Sequence, residues 1–173
     1  MDDNFDLTKL TKKNGKKVNS RQKGAAFERS ITKLLNKTFS TEEFCRSPGS
    51  GAFATTHKLP DYLKIYGDLI TPSNFRFTIE CKKGYNSINL YSLLDYSSKF
   101  WEFIDQSEKD SVSSKKEPMV IFKQDRQPTL AIVKENTLFS TSVNYITLTY
   151  ATRIYKIYKL DDILIDSTIC WFI

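Results

Sequence analysis

The segment from Asp68 to Lys82 constrains the fold of this chain more than any other. Asp68 opens a short apolar run, residues 71–74 have the composition of a turn, and residues 75–82 alternate between apolar and polar side chains. Alternation with a period of two is typical of a half-buried β-strand. The segment therefore predicts a β-hairpin, and it places Glu80 and Lys82 on one face of the second strand.

Helical and strand patterns alternate along the rest of the chain. One helix is predicted from Ser20, its N-cap, to about Lys37, and a second over residues 91–108, followed by a loop over 111–117. Further strands are predicted at 44–45, 118–123, 129–134, 145–150 and 154–160, a possible one at 62–66, and a short helix at 161–165. This order predicts an α/β domain with a central mixed β-sheet flanked by helices.

Charge is distributed unevenly along the chain. At 173 residues the chain has the length of one domain, and we predict a flexible basic arm over 1–20 and a single domain over 21–173. Residues 1–83 carry 16 Lys and Arg against 9 Asp and Glu, whereas the remaining residues carry 10 against 11. The basic half favours a polyanionic partner, although a solvated basic tail would give the same composition.

Several classes of protein are excluded by what the sequence lacks. No apolar run approaches the roughly 18–20 residues of a membrane span, and the first residues do not form a signal peptide, so we predict an intracellular protein without membrane contact. Cys45, Cys81 and Cys170 lie far apart without CxxC spacing, which argues against a disulfide framework or a zinc site. With one histidine, His57, any metal must be held mainly by oxygen atoms.

The predicted hairpin brings two carboxylates together. With the turn centred on Ser73, Asp68 lies five residues before the centre and Glu80 seven after it, so the two are nearly opposite. Converging carboxylates need a cation or a shared proton between them, and Mg²⁺ suits one or two carboxylates completed by water and phosphate. Asp61 is kept as a minority alternative, because it lies twelve residues before the turn centre.

Two further groups are candidates for the same site. Glu28 falls at the edge of the apolar stripe of the first predicted helix, where a carboxylate either needs a partner or reaches water. The Cys81 side chain points to the opposite face of the strand from Glu80, but its carbonyl would supply an extra oxygen ligand. The alternative interpretation is that Glu80 and Lys82 lie on an ordinary strand face that is exposed to solvent and has no role in catalysis.

Four short motifs occur in the order found in PD-(D/E)xK nucleases, and the chain resembles this superfamily. They lie at 23–29, 46–51, 67–70 and 79–82. More narrowly, they resemble archaeal-type Holliday-junction resolvases and their phage relatives. The resemblance implies a restriction-endonuclease-like core in which Glu28, Asp68 and Glu80 form the acidic cluster and Lys82 is the catalytic lysine. The chain has Gly67 at the position of the proline for which the superfamily is named.

The resemblance also assigns a loop and a set of binding residues. Arg46 and Ser50 match the arginine and the catalytic serine of the loop that the resolvases place beside the scissile phosphate, although the stretch from Gly51 to Asp68 is longer here. The expected metal ligands are Glu28, Asp68, Glu80 and the Cys81 carbonyl. The expected DNA contacts are Arg21, Lys23, Arg46 and Lys83, whose binding would depend strongly on salt.

The implied function is Mg²⁺-dependent hydrolysis of phosphodiester bonds in branched or double-stranded DNA, with Mn²⁺ as a substitute. We expect a homodimer, because two symmetric nicks suit two-fold symmetry and because the helix at 91–108 and residues 169–173 are apolar. Two alternatives remain open. One is a restriction- or repair-type endonuclease on the same core, and the other is a basic nucleic-acid-binding protein that has lost catalysis. The intact set of Asp68, Glu80 and Lys82 argues against the second.

Overall fold

A mixed five-stranded β-sheet forms the centre of the fold. The computed structural model describes residues 19–48, 66–135 and 142–173. The strands are β1 (Cys45–Arg46), β2 (Leu69–Ile70), β3 (Phe77–Lys83), β4 (Glu117–Lys123), β5 (Leu130–Lys134), β6 (Tyr145–Tyr150) and β7 (Arg153–Lys159). The central sheet has the order β3-β4-β5-β7-β6, in which β3 and β4 are parallel and the other neighbours are antiparallel. β1 and β2 form a separate antiparallel pair.

Helices cover both faces of this sheet. They are α1 (Ser20–Phe39), α2 (Lys99–Ser114) and α3 (Leu160–Ile165). Buried residues of α1 and α3 share a core with Ile79, Cys81 and Ile121, whereas those of α2 pack on Val120 and Phe122. Neighbouring residues of a strand thus face opposite helices, as the pleat requires. The predicted α/β class with a central mixed sheet flanked by helices is confirmed.

The predicted boundaries of α1 are nearly correct. The helix begins at Ser20, but its N-cap is Asn19, whose side chain accepts a hydrogen bond from the Arg21 amide. It ends at Phe39, two residues beyond the predicted end, where Ser40 adopts a left-handed conformation. The predicted strand at 44–45 is shifted by one residue to β1.

The predicted helix over 91–108 is wrong at both ends. α2 begins only at Lys99, because Asp95 and Ser98 each accept a hydrogen bond from the amide two residues later, and Ser98 is the N-cap. Such local bonds compete with helix formation and fix where a helix begins. At the other end α2 continues through residues 111–114, which the sequence predicts to be loop.

The predicted hairpin is wrong in its pairing, although it is right in bringing its two arms together. β2 pairs with β1 rather than with β3. A single backbone bond still joins the arms, from the Asp68 amide to the Ile79 carbonyl at 2.9 Å. The beginning of the predicted second strand pairs elsewhere, because Phe75 forms a bridge with Phe172 near the C-terminus.

The apolar segments that suggest a homodimer are largely buried within one chain. Phe100, Trp101 and Ile104 of α2 belong to the core on the sheet, and Trp171 packs among the aromatic rings on the other face. These side chains complete the core of a monomer, so they give no support to a dimer interface. No helix in the described part of the chain is both long and apolar enough to cross a membrane.

Candidate active site

Asp68 is held in place from three directions. Its amide donates to the Ile79 carbonyl at 2.9 Å, and its carbonyl accepts from the Ser47 amide at 2.9 Å. One of its carboxylate oxygens, Oδ2, accepts from the Cys81 amide at 2.8 Å. Main-chain bonds on both sides therefore fix the carboxylate at the free edge of β3, where the central sheet ends.

Gly67 explains the departure from proline just before Asp68. Its φ of +75° is closed to proline, whose ring locks φ near −65°. A Cβ at this position would lie 2.6 Å from the Ile79 carbonyl oxygen, so the close approach of the two chain segments also requires glycine. The Ser47 hydroxyl donates to the Gly67 carbonyl at 3.1 Å and fixes the turn further.

Asp68 and Glu80 form a buried pair of acids. Their residue exposures are 7% and 2%, and the two carboxyl groups interact electrostatically. Burial raises the pKa of Asp68, and burial together with the Asp68 charge raises the pKa of Glu80 to about 8. A proton shared between the two carboxyls relieves their repulsion, and a bound cation could take its place.

Lys82 lies beside this pair on the same face of β3. Its ammonium donates to Glu80 Oε1 at 2.5 Å and to Gln106 Oε1 at 3.0 Å. The ring centroid of Phe103 lies 5.2 Å from the Lys82 nitrogen. Burial alone would lower the pKa of Lys82, but the adjacent Glu80 and Asp68 carboxylates raise it above its usual value. The arrangement favours the charged ammonium.

Glu28 reaches the same region from α1. Its residue is 7% exposed, and its charge contributes to the raised pKa of Asp68. The carboxylate is paired with the guanidinium of Arg46 on β1. Arg46, which the sequence assigns to phosphate binding, therefore provides the partner that a buried Glu28 requires, with the guanidinium side chain still 31% exposed.

Two residues of α2 belong to this region, and the sequence does not identify them. Gln106 accepts the hydrogen bond from Lys82, and Asp110 accepts one from the Gly67 amide. Together with Phe103 they have the spacing i, i+3 and i+7, which places them on one helix face. That spacing is visible in the sequence, but it does not reveal which strand the helix packs on.

Two of the expected DNA-binding residues, Lys23 and Lys83, lie near the carboxyl end of β3. Arg21 and Lys23 are exposed on the first turns of α1, and Lys83 is half-buried with its nitrogen 5.9 Å from the Phe27 ring centroid. A hydrogen bond from Asn86 and then the charges of Lys23, Lys83 and Arg126 lower the pKa of Asp125 in the turn between β4 and β5. Basic groups from three elements thus converge there, and Arg126 is one that the sequence does not single out.

Three residues considered from the sequence lie outside the described residues. They are Ser50, Asp61 and His57. The predicted role of Ser50 in catalysis and the minority alternative of Asp61 for Asp68 therefore stay predictions. Most of the predicted arm, and most of the possible strand at 62–66, also lie outside.

The donor set fits a hard divalent cation held by few protein ligands. Within the described ranges, no three His, Cys, Asp or Glu side chains are arranged to hold a metal by themselves. Asp68 and Glu80 nevertheless supply two adjoining carboxylates. Because the amide and the carbonyl of a strand residue point to the same side, the Cys81 carbonyl also faces the edge where Asp68 lies. Two carboxylates and a carbonyl, completed by water and phosphate, match the preference of Mg²⁺.

Comparison with known proteins identifies a family for the chain. A family model described as "Phage putative PDDEXK endonuclease" matches residues 19–171, which include α1, every strand and the acidic pair. No curated protein and no solved structure matches the chain. Since the family model covers most of the chain, the protein belongs to this family of phage PD-(D/E)xK endonucleases.

Proposed function

We propose that the protein is a Mg²⁺-dependent, structure-selective DNA endonuclease that resolves Holliday junctions, with Mn²⁺ as a substitute for Mg²⁺. The observation that carries the proposal is the buried pair Asp68 and Glu80 beside the Lys82 ammonium. Family membership supports an endonuclease, and the choice of branched DNA rests on the resemblance of the sequence motifs to resolvases. Family membership and the motif resemblance both agree with an intracellular enzyme that is encoded by a phage.

Different residues of the chain would have different roles in hydrolysis. Asp68, Glu80 and the Cys81 carbonyl would hold the metal, with Glu28 reaching it directly or through water. When bound, Mg²⁺ supplies an acidified water and neutralises charge on the phosphate. The raised pKa of Lys82 favours a role as hydrogen-bond donor to the water or phosphate rather than as a base.

The basic residues around β3 would bind the DNA backbone. Arg21, Lys23 and Lys83 are available for phosphate contacts, and Arg46 would reach a phosphate with the exposed part of its guanidinium while it holds Glu28. Charge neutralisation of this kind gives an affinity that falls steeply with salt. A homodimer would provide two such sites, one for each of the paired nicks. Light scattering at micromolar concentration measures the oligomeric state.

The test is cleavage of a four-way junction, a linear duplex and a single strand of matched sequence, each in Mg²⁺ and in EDTA. We expect paired nicks in the junction that require Mg²⁺. Asp68→Asn should abolish them while DNA affinity stays near wild type, because phosphate contacts come from lysine and arginine. Asp61→Asn is the matched control.

Each contrary result has a distinct meaning. Preferred cleavage of plain duplex would support the restriction- or repair-type alternative instead. Retained cleavage in Asp68→Asn together with loss in Asp61→Asn would show that the wrong aspartate is assigned. DNA binding without cleavage of any substrate would favour the non-catalytic alternative.

A further inference from the structure

The Lys82 ammonium is held by two acceptors of different charge. An ammonium has three N–H donors. One is directed to Glu80 Oε1 at 2.5 Å and another to the amide oxygen of Gln106 at 3.0 Å, which leaves one for water or substrate. The Phe103 ring flanks the nitrogen at 5.2 Å from its centroid. The position of Lys82 therefore depends on β3 and on α2 together.

The two acceptors respond differently to a cation. The Glu80 carboxylate is also the group expected to bind the metal. A divalent ion there would neutralise the negative charge of Glu80 and repel the Lys82 ammonium. Gln106 is neutral and lies on α2, a different element from the carboxylate pair. Its hydrogen bond to Lys82 does not depend on the charge of Glu80.

We propose that Gln106 is a positioning residue that keeps the Lys82 ammonium in place when Glu80 is engaged by the metal. The inference rests on the proposed nuclease function and deepens it by adding a residue that acts through Lys82. Gln106 lies on the exposed side of α2, so its contact with Lys82 is not required to fill the core. A purely structural role would instead predict a loss of stability when the side chain is changed.

The first experiment compares three substitutions on α2 by single-turnover cleavage at saturating protein and Mg²⁺. Gln106→Met keeps the length but removes the acceptor, Gln106→Glu restores an acceptor, and Glu102→Met is an exposed control on the same helix. We expect Gln106→Met to lower the rate about tenfold, with DNA affinity in EDTA and melting temperature equal to those of the control. Gln106→Glu should recover most of the rate.

A double-mutant cycle tests whether Gln106 acts through Lys82. Adding Gln106→Met to Lys82→Ala should cause no further loss of rate, since the group to be positioned is already absent. A further tenfold loss in that background would overturn the inference. So would a wild-type rate in Gln106→Met, or a loss of rate matched by a fall in melting temperature.

A second measurement does not depend on cleavage. NMR relaxation of the Lys82 Cε methylene, assigned by its loss in Lys82→Met, reports the order of the side chain with and without Mg²⁺. Mg²⁺ should lower this order in Gln106→Met but not in the wild type, and equal order in both would overturn the inference. If the wild type cuts no DNA, the proposed function fails, and the NMR comparison still decides the positioning of Lys82.

Discussion

Two glutamates on the same side of the sheet, the buried Glu80 and the half-buried Glu108, have opposite surroundings. Glu108 of α2 accepts from the Tyr155 hydroxyl at 2.7 Å, lies 2.8 Å from the Lys134 ammonium and is paired with the Arg153 guanidinium. Burial alone would raise the pKa of Glu108, but these donors lower it. Glu80, in contrast, faces Asp68 as well as Lys82, and its pKa is raised to about 8.

We propose that this difference separates a structural carboxylate, Glu108, from a functional one, Glu80. Around Glu108, two cations and a hydroxyl serve Glu108 and its neighbour Asp105, so each negative charge has a cationic partner. Around Glu80, one ammonium must serve two carboxylates, and the deficit of positive charge is the property that a metal site requires. Desolvation acts to raise the pKa of both glutamates, so the balance of their partners is what sets the two pKa shifts in opposite directions.

The largest expected contrast is in catalysis. Glu80→Gln should lower the rate of DNA cleavage by about a thousandfold, because several kcal/mol of transition-state stabilisation depend on the metal that Glu80 helps to hold. Glu108→Gln should leave the rate per folded molecule near wild type. Single-turnover assays on one DNA substrate measure both, and equal losses in the two variants would remove the distinction.

In stability the same two variants should differ in the opposite direction. Glu108→Gln should lower the free energy of unfolding by about 2 kcal/mol, since it weakens charged hydrogen bonds to three partners. Glu80→Gln should raise it by about 1 kcal/mol in metal-free protein, because it removes an under-compensated buried charge. Urea unfolding in EDTA at pH 8 measures both values. A destabilised Glu80→Gln would contradict the interpretation of Glu80.

The same deficit of positive charge should appear in the pH dependence of stability. The pKa of Glu80 is raised from 4.5 to about 8, so the folded protein binds this proton more tightly than the unfolded chain does. Metal-free stability should therefore fall as pH rises between these two values. The proposed Mg²⁺ would bind the carboxylate form, so it should stabilise the protein more at pH 8 than at pH 6. Melting temperatures with Mg²⁺ and with EDTA test this, and Glu80→Gln should flatten the profile.

The fold was predictable where its signals are local. β4 and β5 were predicted within one residue, because their apolar runs and the turn between them lie within a short stretch. The beginning of α2 was not, because an apolar stripe with helical spacing extends across 91–98, whereas the hydrogen bonds of Asp95 and Ser98 make the helix begin only at Lys99. The stripe shows which residues are apolar and does not show where the backbone becomes helical.

The candidate site was predictable only in part for a similar reason. The sequence predicts that Asp68 and Glu80 meet, and they do, although through one backbone bond rather than a hairpin ladder. The contact of Gln106 with Lys82 and the pairing of Arg46 with Glu28 depend on how elements distant in sequence pack together. Neither could be derived from spacing along the chain.

The tight turn at Gly67 has a consequence for how the enzyme could be inactivated. Because a methyl group there would lie 2.6 Å from a backbone oxygen, even alanine must displace the segment that carries Asp68. Such a variant would keep every ionisable group of the protein, so its net charge and its long-range attraction to DNA would be unchanged. Gly67→Ala is therefore suited to an inactive form of the protein that captures uncut DNA. A natural substitution at this position could abolish activity while every acidic residue stays unchanged.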